Sequence, residues 1–269
     1  MDIIKAIVIG VAGRMGGRIL WALHETSNIH LAGAVERKDH PALGRDAGEV
    51  AGMEKWGVPI VGDLRQAIDS GDVIIDFTNA ESSLKNLQAA AEKGKSAVIG
   101  STGFSPAQME EAKALTKKIA CVLSPNMSVG VNVLFKTVAD LAKILGDDFD
   151  VEVIEAHHRM KKDAPSGTAV KIGQILAKTL NRNYEEVAVF ERKGMTGERK
   201  KKDIGMQTIR AGDIVGEHTV IFGGTGERLE VIHRAHSRDN FARGAIRAVN
   251  WVVKQRPGLY DMQDVLGLK

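Results

Sequence analysis

The chain has little with which to cross-link, stack on bases or enter a membrane. Its 269 residues contain one cysteine, Cys121, which excludes an intrachain disulfide and fits a reducing compartment. Cys121 lies in the apolar run IACVL and reads as a buried structural thiol rather than a nucleophile. Aromatic residues make up only 4% and the formal net charge is only +3, so neither stacking platforms nor a strong field argues for nucleic acid. No apolar stretch is long enough to span a bilayer. The start, MDIIKAIVIG, runs straight into a strand pattern with no basic leader or cleavage site, so the expected location is cytoplasmic. What remains is ordinary for a folded protein: 43% hydrophobic and 26% charged residues, in a length that can hold two domains.

The first half alternates strands and helices. Lys5 to Gly10 is a short apolar run closed by glycine, as in a buried parallel strand. Gly10, Val11, Ala12, Gly13, Arg14, Met15 and Gly16 follow, and a helical pattern runs from Met15 through Ile19 to Leu23. Strand, glycine-rich turn and helix form the arrangement that seats a dinucleotide pyrophosphate on a helix N-terminus. The spacing, G-x-x-G-x-x-G, departs from the usual fingerprint, and taken alone the turn could equally be an ordinary tight connection. The second strand, Leu31–Val35, favours the cofactor reading. It ends in Glu36, 20 positions after Gly16, where an acid would accept hydrogen bonds from the adenosine ribose. Arg37 comes next and could pair with a 2′-phosphate.

Further strand patterns at Val58–Val61, Val73–Phe77, Ala97–Ile99 and Ile119–Leu123 alternate with helical ones. This predicts a doubly wound parallel sheet of Rossmann type. Thr78, Gly100 to Thr102 and Ser124 to Met127 then stand at strand carboxyl ends, where such sheets bind ligands. The alternation stops near Asn126, where a helix to about Leu145 begins. Later strand patterns at Val187–Phe190, Met206–Arg210, Glu217–Phe222 and Leu229–His233 have no helices between them. They predict a second, α+β domain built on an antiparallel or mixed sheet. Within it the run Arg192–Lys202 reads as a mobile, solvated loop. His218, His233 and His236 lack the carboxylate or cysteine company of a metal site, and none is expected. Phe241–Val253 reads as a helix, with Leu259 to Leu266 a short tail.

The most informative stretch is Val151 to Thr168, VEVIEAHHRMKKDAPSGT. An alternating strand delivers His157 and His158, then Arg159, Lys161 and Lys162, and turns at Asp163-Ala164-Pro165. Ser166-Gly167-Thr168 opens a helix with Val170, Ile172, Ile175, Leu176 and Leu180 at amphipathic spacing. Two imidazoles and three permanent cations beside glycine amides at a helix start suit a small substrate that carries carboxylates and needs a proton. Most charge runs are solvated faces, but the order of residues here is specific.

EAHHRMKKDAPSGTA resembles the signature of the dihydrodipicolinate reductase family. The likeness extends to GVAGRMG, AVER, DFT, GSTGF, SPNMSVGVN and HRAHSRDNFARGAIRA, nearly the whole chain. It implies reduction of 4-hydroxy-tetrahydrodipicolinate with NADPH or NADH, commonly by a homotetramer, in lysine and diaminopimelate biosynthesis. It further implies that His157 is the acid–base residue, that Lys161 is the proton donor, and that His158, Gly167 and Thr168 contact substrate. Gly10, Val11, Ala12, Gly13, Arg14, Met15, Glu36, Arg37, Gly100, Ser101, Thr102, Ser124, Pro125, Asn126 and Met127 would contact cofactor. The terminal segment would return to the first domain. This gives 1–126 with 240–269 as the dinucleotide-binding domain and 127–239 as the domain for substrate binding and oligomerisation. Two rival readings are another two-domain nicotinamide oxidoreductase, acting on an amino acid or semialdehyde, and a dinucleotide sensor without turnover.

Overall fold

In the computed structural model, which describes residues 3–269, the first apolar run forms β1 (Ile4–Ile9). Gly10, at φ +73°, turns the chain in a conformation that few other residues adopt. Helix α1 (Arg14–His24) follows, with Ile19, Leu20 and Leu23 on its buried side, and leads to β2 (Ile29–Val35). Helix α2 (Ala47–Val50) is a single turn made by Asp46, whose carboxylate accepts from the Gly48, Glu49, Trp56 and Val58 amides. Next come β3 (Ile60–Val61), two 3₁₀ turns at Leu64–Gln66 and Ile68–Ser70, and β4 (Val73–Asp76). Asn79 caps α3 (Ala80–Glu92), which returns to β5 (Ser96–Ile99). A reciprocal Ser105–Gln108 capping box and Pro106 in the first turn start α4 (Pro106–Leu115), and β6 (Ala120–Leu123) follows.

The chain then enters α5 (Val129–Leu145) and β7 (Asp150–His157). It continues through α6 (Gly167–Thr179), α7 (Tyr184–Val187), β8 (Ala188–Val189), β9 (Ile204–Arg210), β10 (Gly216–Gly224) and β11 (Glu227–Ala235). Helix α8 (Asp239–Val252), β12 (Gly258–Tyr260) and α9 (Met262–Leu266) close it. Two compact units result. One ends at Val129 and resumes with Arg238–Lys269; the other is Gly130–Ser237.

The first unit holds a seven-stranded sheet in the order β12-β6-β5-β4-β1-β2-β3, and every pairing is parallel. Residues alternate between two cores, as the two-residue period of a strand requires. Ala6, Val8, Val73, Ile75 and Val122 pack with α1 and α8, whereas Ile7, Ile74, Ile99 and Cys121 pack with Leu84 and Leu87 of α3 and Ala112 of α4. The strand order reverses between β1 and β4, so the Gly10–Gly16 turn and Thr78 flank the switch point where such sheets take ligands. The expected tail is corrected. Residues 258–260 extend the sheet beside β6, and α9 packs Met262 and Val265 into the core.

The second unit is a mixed five-stranded sheet in the order β11-β10-β7-β9-β8. Strand β10 pairs antiparallel with β7 and β11, while β7–β9 and β8–β9 are parallel. One face buries Val151, Val153, Ile204, Met206, Val220 and Phe222 against α5 and α6. The opposite side of β7 carries Glu152, and the run 192–202, exposed as expected except for half-buried Arg199, is tied to it by side chains. Arg192 grips both Glu152 oxygens at 2.8 and 2.9 Å, and Arg199 binds Glu152, Asp150 and the Val151 and Asp203 carbonyls. Two arginines therefore pin the ends of the basic run to the sheet, and sequence spacing did not reveal this.

Candidate active site

Each unit carries part of the expected machinery. In the first, Gly13 caps α1 with no side-chain hydrogen bond, so the first-turn amides keep their pull on an anion. Gly16 is required by close approach: a Cβ there would lie 2.1 Å from the Gly10 carbonyl oxygen. Gly10 abuts the Thr78 methyl, where an added Cβ would stand 2.9 Å away. The Glu36 carboxylate accepts from the Ala12 amide at 3.1 Å and from the Arg37 amide at 3.0 Å. It thus braces the turn from the end of β2, and the Ala12 amide is turned toward it.

A cleft of about 500 Å³ runs from Gly10 and Thr78 past Glu36 to Arg37, Lys38 and Arg65. A second hollow of about 270 Å³ is lined by Arg14, Met15, Phe77, Gly100, Pro125, Asn126 and Met127, with Arg238 and Phe241. An uncapped helix end, a glycine cradle and a cation-edged cleft together fit a dinucleotide. Not every expected residue faces these hollows. Val11 is buried, the Ser101 hydroxyl pairs with Ser83 at 2.7 Å, and the Ser124 hydroxyl donates to the Asn126 carbonyl at 3.0 Å. The side chains of these three are taken up by packing and by the loops themselves, whereas Thr102 is exposed and lines neither hollow. Lys38, Arg65 and Arg238 also line these clefts; Lys38 and Arg65 lie in none of the motifs above, and Arg238, inside HRAHSRDNFARGAIRA, meets its hollow only through the fold.

In the second unit, β7 ends at His157 and the chain loops to Ser166, the N-cap of α6. Glu155, two residues before His157, is fully buried and organises the region. Arg210, on β9, forks onto it with both contacts at 2.8 Å, and the Ser166 amide donates to it at 2.9 Å. His157 Nδ1 lies 2.6 Å from its Oε2. Burial pushes the Glu155 carboxyl up, but Arg210, His157 and the Ser166 amide outweigh it and hold the group below its ordinary value. Burial also lowers His157, against the pull of Glu155 and with the help of Lys161 and Arg210, so the ring is neutral near neutral pH.

Lys161 binds both Asp163 oxygens at 2.9 Å, and this pairing is what chiefly lowers the Asp163 carboxyl. His158 Nδ1 is buried without a protein partner. Gly167 opens the first turn of α6 beside Thr168, and a Cβ at Gly167 would meet nothing within 4 Å. His218 on β10 joins from the far side. Its Nε2 lies 3.1 Å from the Ser166 hydroxyl, and its ring meets His157 edge-on at 5.4 Å. Burial is the main reason that its pKa falls to about 3. Glu155, Ser166, Arg210 and His218 were not singled out as site residues from sequence; Arg210 and His218 reach Glu155 and Ser166 only through strand pairing. Among the described residues no group of three or more potential ligands could hold a metal ion, and no helix is long and apolar enough to cross a membrane.

Comparison with known proteins covers both units. The family model for the dihydrodipicolinate reductase N-terminus matches residues 4–127, and that for the C-terminus matches residues 130–266. A 4-hydroxy-tetrahydrodipicolinate reductase of Syntrophus aciditrophicus is 60% identical over 266 residues, 99% of each chain. One from Geotalea uraniireducens is also 60% identical, over 99% of this chain and 100% of the relative. A dipicolinate-bound dihydrodipicolinate reductase from Paenisporosarcina sp. TG-14 has the same fold, with a TM-score of 0.77 at 24% identity over 97% and 98% of the two chains. An amine dehydrogenase from Mycobacterium smegmatis is a more distant fold relative, with a TM-score of 0.59 at 16% identity over 95% and 94%.

Proposed function

The chain belongs to the dihydrodipicolinate reductase family, and from that premise we propose that it reduces 4-hydroxy-tetrahydrodipicolinate to tetrahydrodipicolinate in the diaminopimelate route to lysine. The observation that carries the reading is 60% identity along 99% of a relative bearing that activity's name. The second unit supports it chemically, since a neutral imidazole, an ammonium and a helix start converge in one loop. A nicotinamide dinucleotide, when bound, supplies the hydride.

The protein's own groups do the rest. The α1 first turn and the glycine cradle receive the pyrophosphate, and Glu36 and Arg37 meet the adenosine end. We assign both NADH and NADPH, because Glu36 suits a ribose hydroxyl and Arg37 a 2′-phosphate. His158, Gly167 and Thr168 hold a substrate carboxylate at the start of α6; the dipicolinate-bound relative supports a small dicarboxylate. His157 exchanges a proton at Nε2, the nitrogen turned away from Glu155, Lys161 delivers one from its ammonium, and the 4-hydroxyl leaves as water, so that one hydride and one net proton balance the reduction. The family resemblance supports a homotetramer, and the single cysteine fits a reducing, cytoplasmic compartment.

The test is to mix protein, reduced nicotinamide and freshly generated 4-hydroxy-tetrahydrodipicolinate and follow nicotinamide absorbance. Rapid loss with this substrate, and none with amino-acid or semialdehyde substrates, is expected. Faster turnover of a semialdehyde would replace the reading with the rival oxidoreductase, and binding without turnover would replace it with a sensor.

A further inference from the structure

Glu155 is fully buried in the second unit, and the proposed reaction gives it no part. A carboxylate is kept in such a place only when its lone pairs are met. Here Arg210 meets both oxygens at 2.8 Å, the Ser166 amide meets Oε1 at 2.9 Å, and the Thr208 hydroxyl lies 3.4 Å from the same oxygen. Arg210 is itself fixed by the Asp163 and Ile209 carbonyls, each at 2.7 Å. The carboxylate therefore cannot swing, and the one remaining contact is His157 Nδ1 at 2.6 Å.

An ionised carboxylate only accepts hydrogen bonds, so Nδ1 must carry the hydrogen and the neutral ring must keep its lone pair on Nε2. The facing position on β10 is Gly216, where a Cβ would stand 3.0 Å from Nε2, so the glycine keeps that nitrogen clear. We propose that Glu155 and Arg210 are positioning residues that lock His157 as its Nδ1–H tautomer with Nε2 open for proton transfer, and that the Ser166 amide ties this setting to the first turn of α6. The proposal rests on the reading of His157 as the acid–base group. The other charged or titratable groups acting on the ring are Lys161 from the loop and His218 from β10.

The test uses ¹⁵N-histidine NMR of the full-length protein, with kcat, substrate KM and dinucleotide affinity measured on the same samples. In the parent, above the titration of His157, a protonated Nδ1 and an unprotonated Nε2 are expected. Glu155→Gln sets an amide against the guanidinium, so Glu155→Gln/Arg210→Met, which removes both charges, is made beside it. Both variants should lose the tautomer preference and drop kcat about 10²-fold, with substrate KM and dinucleotide affinity near parental values. A parent with Nε2 protonated overturns the proposal, and that spectrum requires no variant to fold. So does a folded double variant that keeps kcat within about twofold of the parent. Failure of the parent to reduce 4-hydroxy-tetrahydrodipicolinate would instead remove the functional reading, while the tautomer would still be decided by the spectrum.

Discussion

Lowering the pH should unfold this protein in part through His218. Its ring is buried between Ser166 and His157, and its proton equilibrium falls from the ordinary 6.5 to about 3. Burial is the largest cause, the His157, His233 and Lys161 sides add to it, and Glu155 opposes. The unfolded chain therefore binds a proton below pH 6.5 that the folded chain refuses until about pH 3. Between those values the unfolded state holds more protons, so stability rises with pH; it is complete above 6.5 and is lost as pH falls toward 3. At about pH 5 the unfolded imidazole is protonated roughly thirtyfold over neutral, which amounts to about 2 kcal/mol lost relative to about pH 8. The figure is set by the unfolded state, because the buried ring is still neutral at that pH. His218→Gln keeps an amide that can meet the Ser166 hydroxyl but cannot take up a proton. Urea unfolding at both pH values, at one protein concentration, should show the variant losing about 2 kcal/mol less than the parent between them. His157 and Glu155 titrate in both proteins and drop out of the difference. Equal losses in parent and variant would refute the reasoning.

Three further outcomes follow from particular contacts. Because a Cβ at Gly167 meets nothing in the fold, Gly167→Val should leave stability and dinucleotide binding intact while raising substrate KM; an unchanged KM would remove the carboxylate anchor. Arg37 is exposed and only loosely paired with Asp39, at 3.4 Å, so Arg37→Ala should weaken NADPH by about 1.5–3 kcal/mol and barely touch NADH, as read by titrating each cofactor. Equal weakening of both would make Arg37 structural. Asp46→Ala strips acceptors from four backbone amides and should cost about 2–3 kcal/mol in urea unfolding at neutral pH, whereas a change within about 0.5 kcal/mol would mean that the loop re-forms its bonds elsewhere.

Much of the first unit was legible because its signals are local. The run before Gly10, the glycine turn and Glu36 lie within one strand–helix–strand stretch, and period-two burial appears directly in residues such as Ala6/Ile7/Val8. Strand β12 was not legible. Three residues give no periodicity, and their place beside β6 is fixed by tertiary packing. The His157–Thr168 loop could be read as a cluster, but not the reason that it holds its shape. That reason is Arg210, 55 positions from Glu155 in sequence and beside it only through the parallel pairing of β7 with β9. His218 looked at most like a stray metal ligand. The antiparallel register of β10 on β7, which sets it opposite Glu155, turns it into a buried neutral neighbour of the same network.

The central claim is that His157 and Lys161 move the protons of this reduction. Steady-state kcat with 4-hydroxy-tetrahydrodipicolinate should be measured for the parent, His157→Gln and Lys161→Ala, alongside dinucleotide affinity and unfolding midpoint. The account predicts a fall in kcat of about 10²-fold or more in each variant, with affinity and midpoint near parental values. Near-parental kcat in both variants would contradict it.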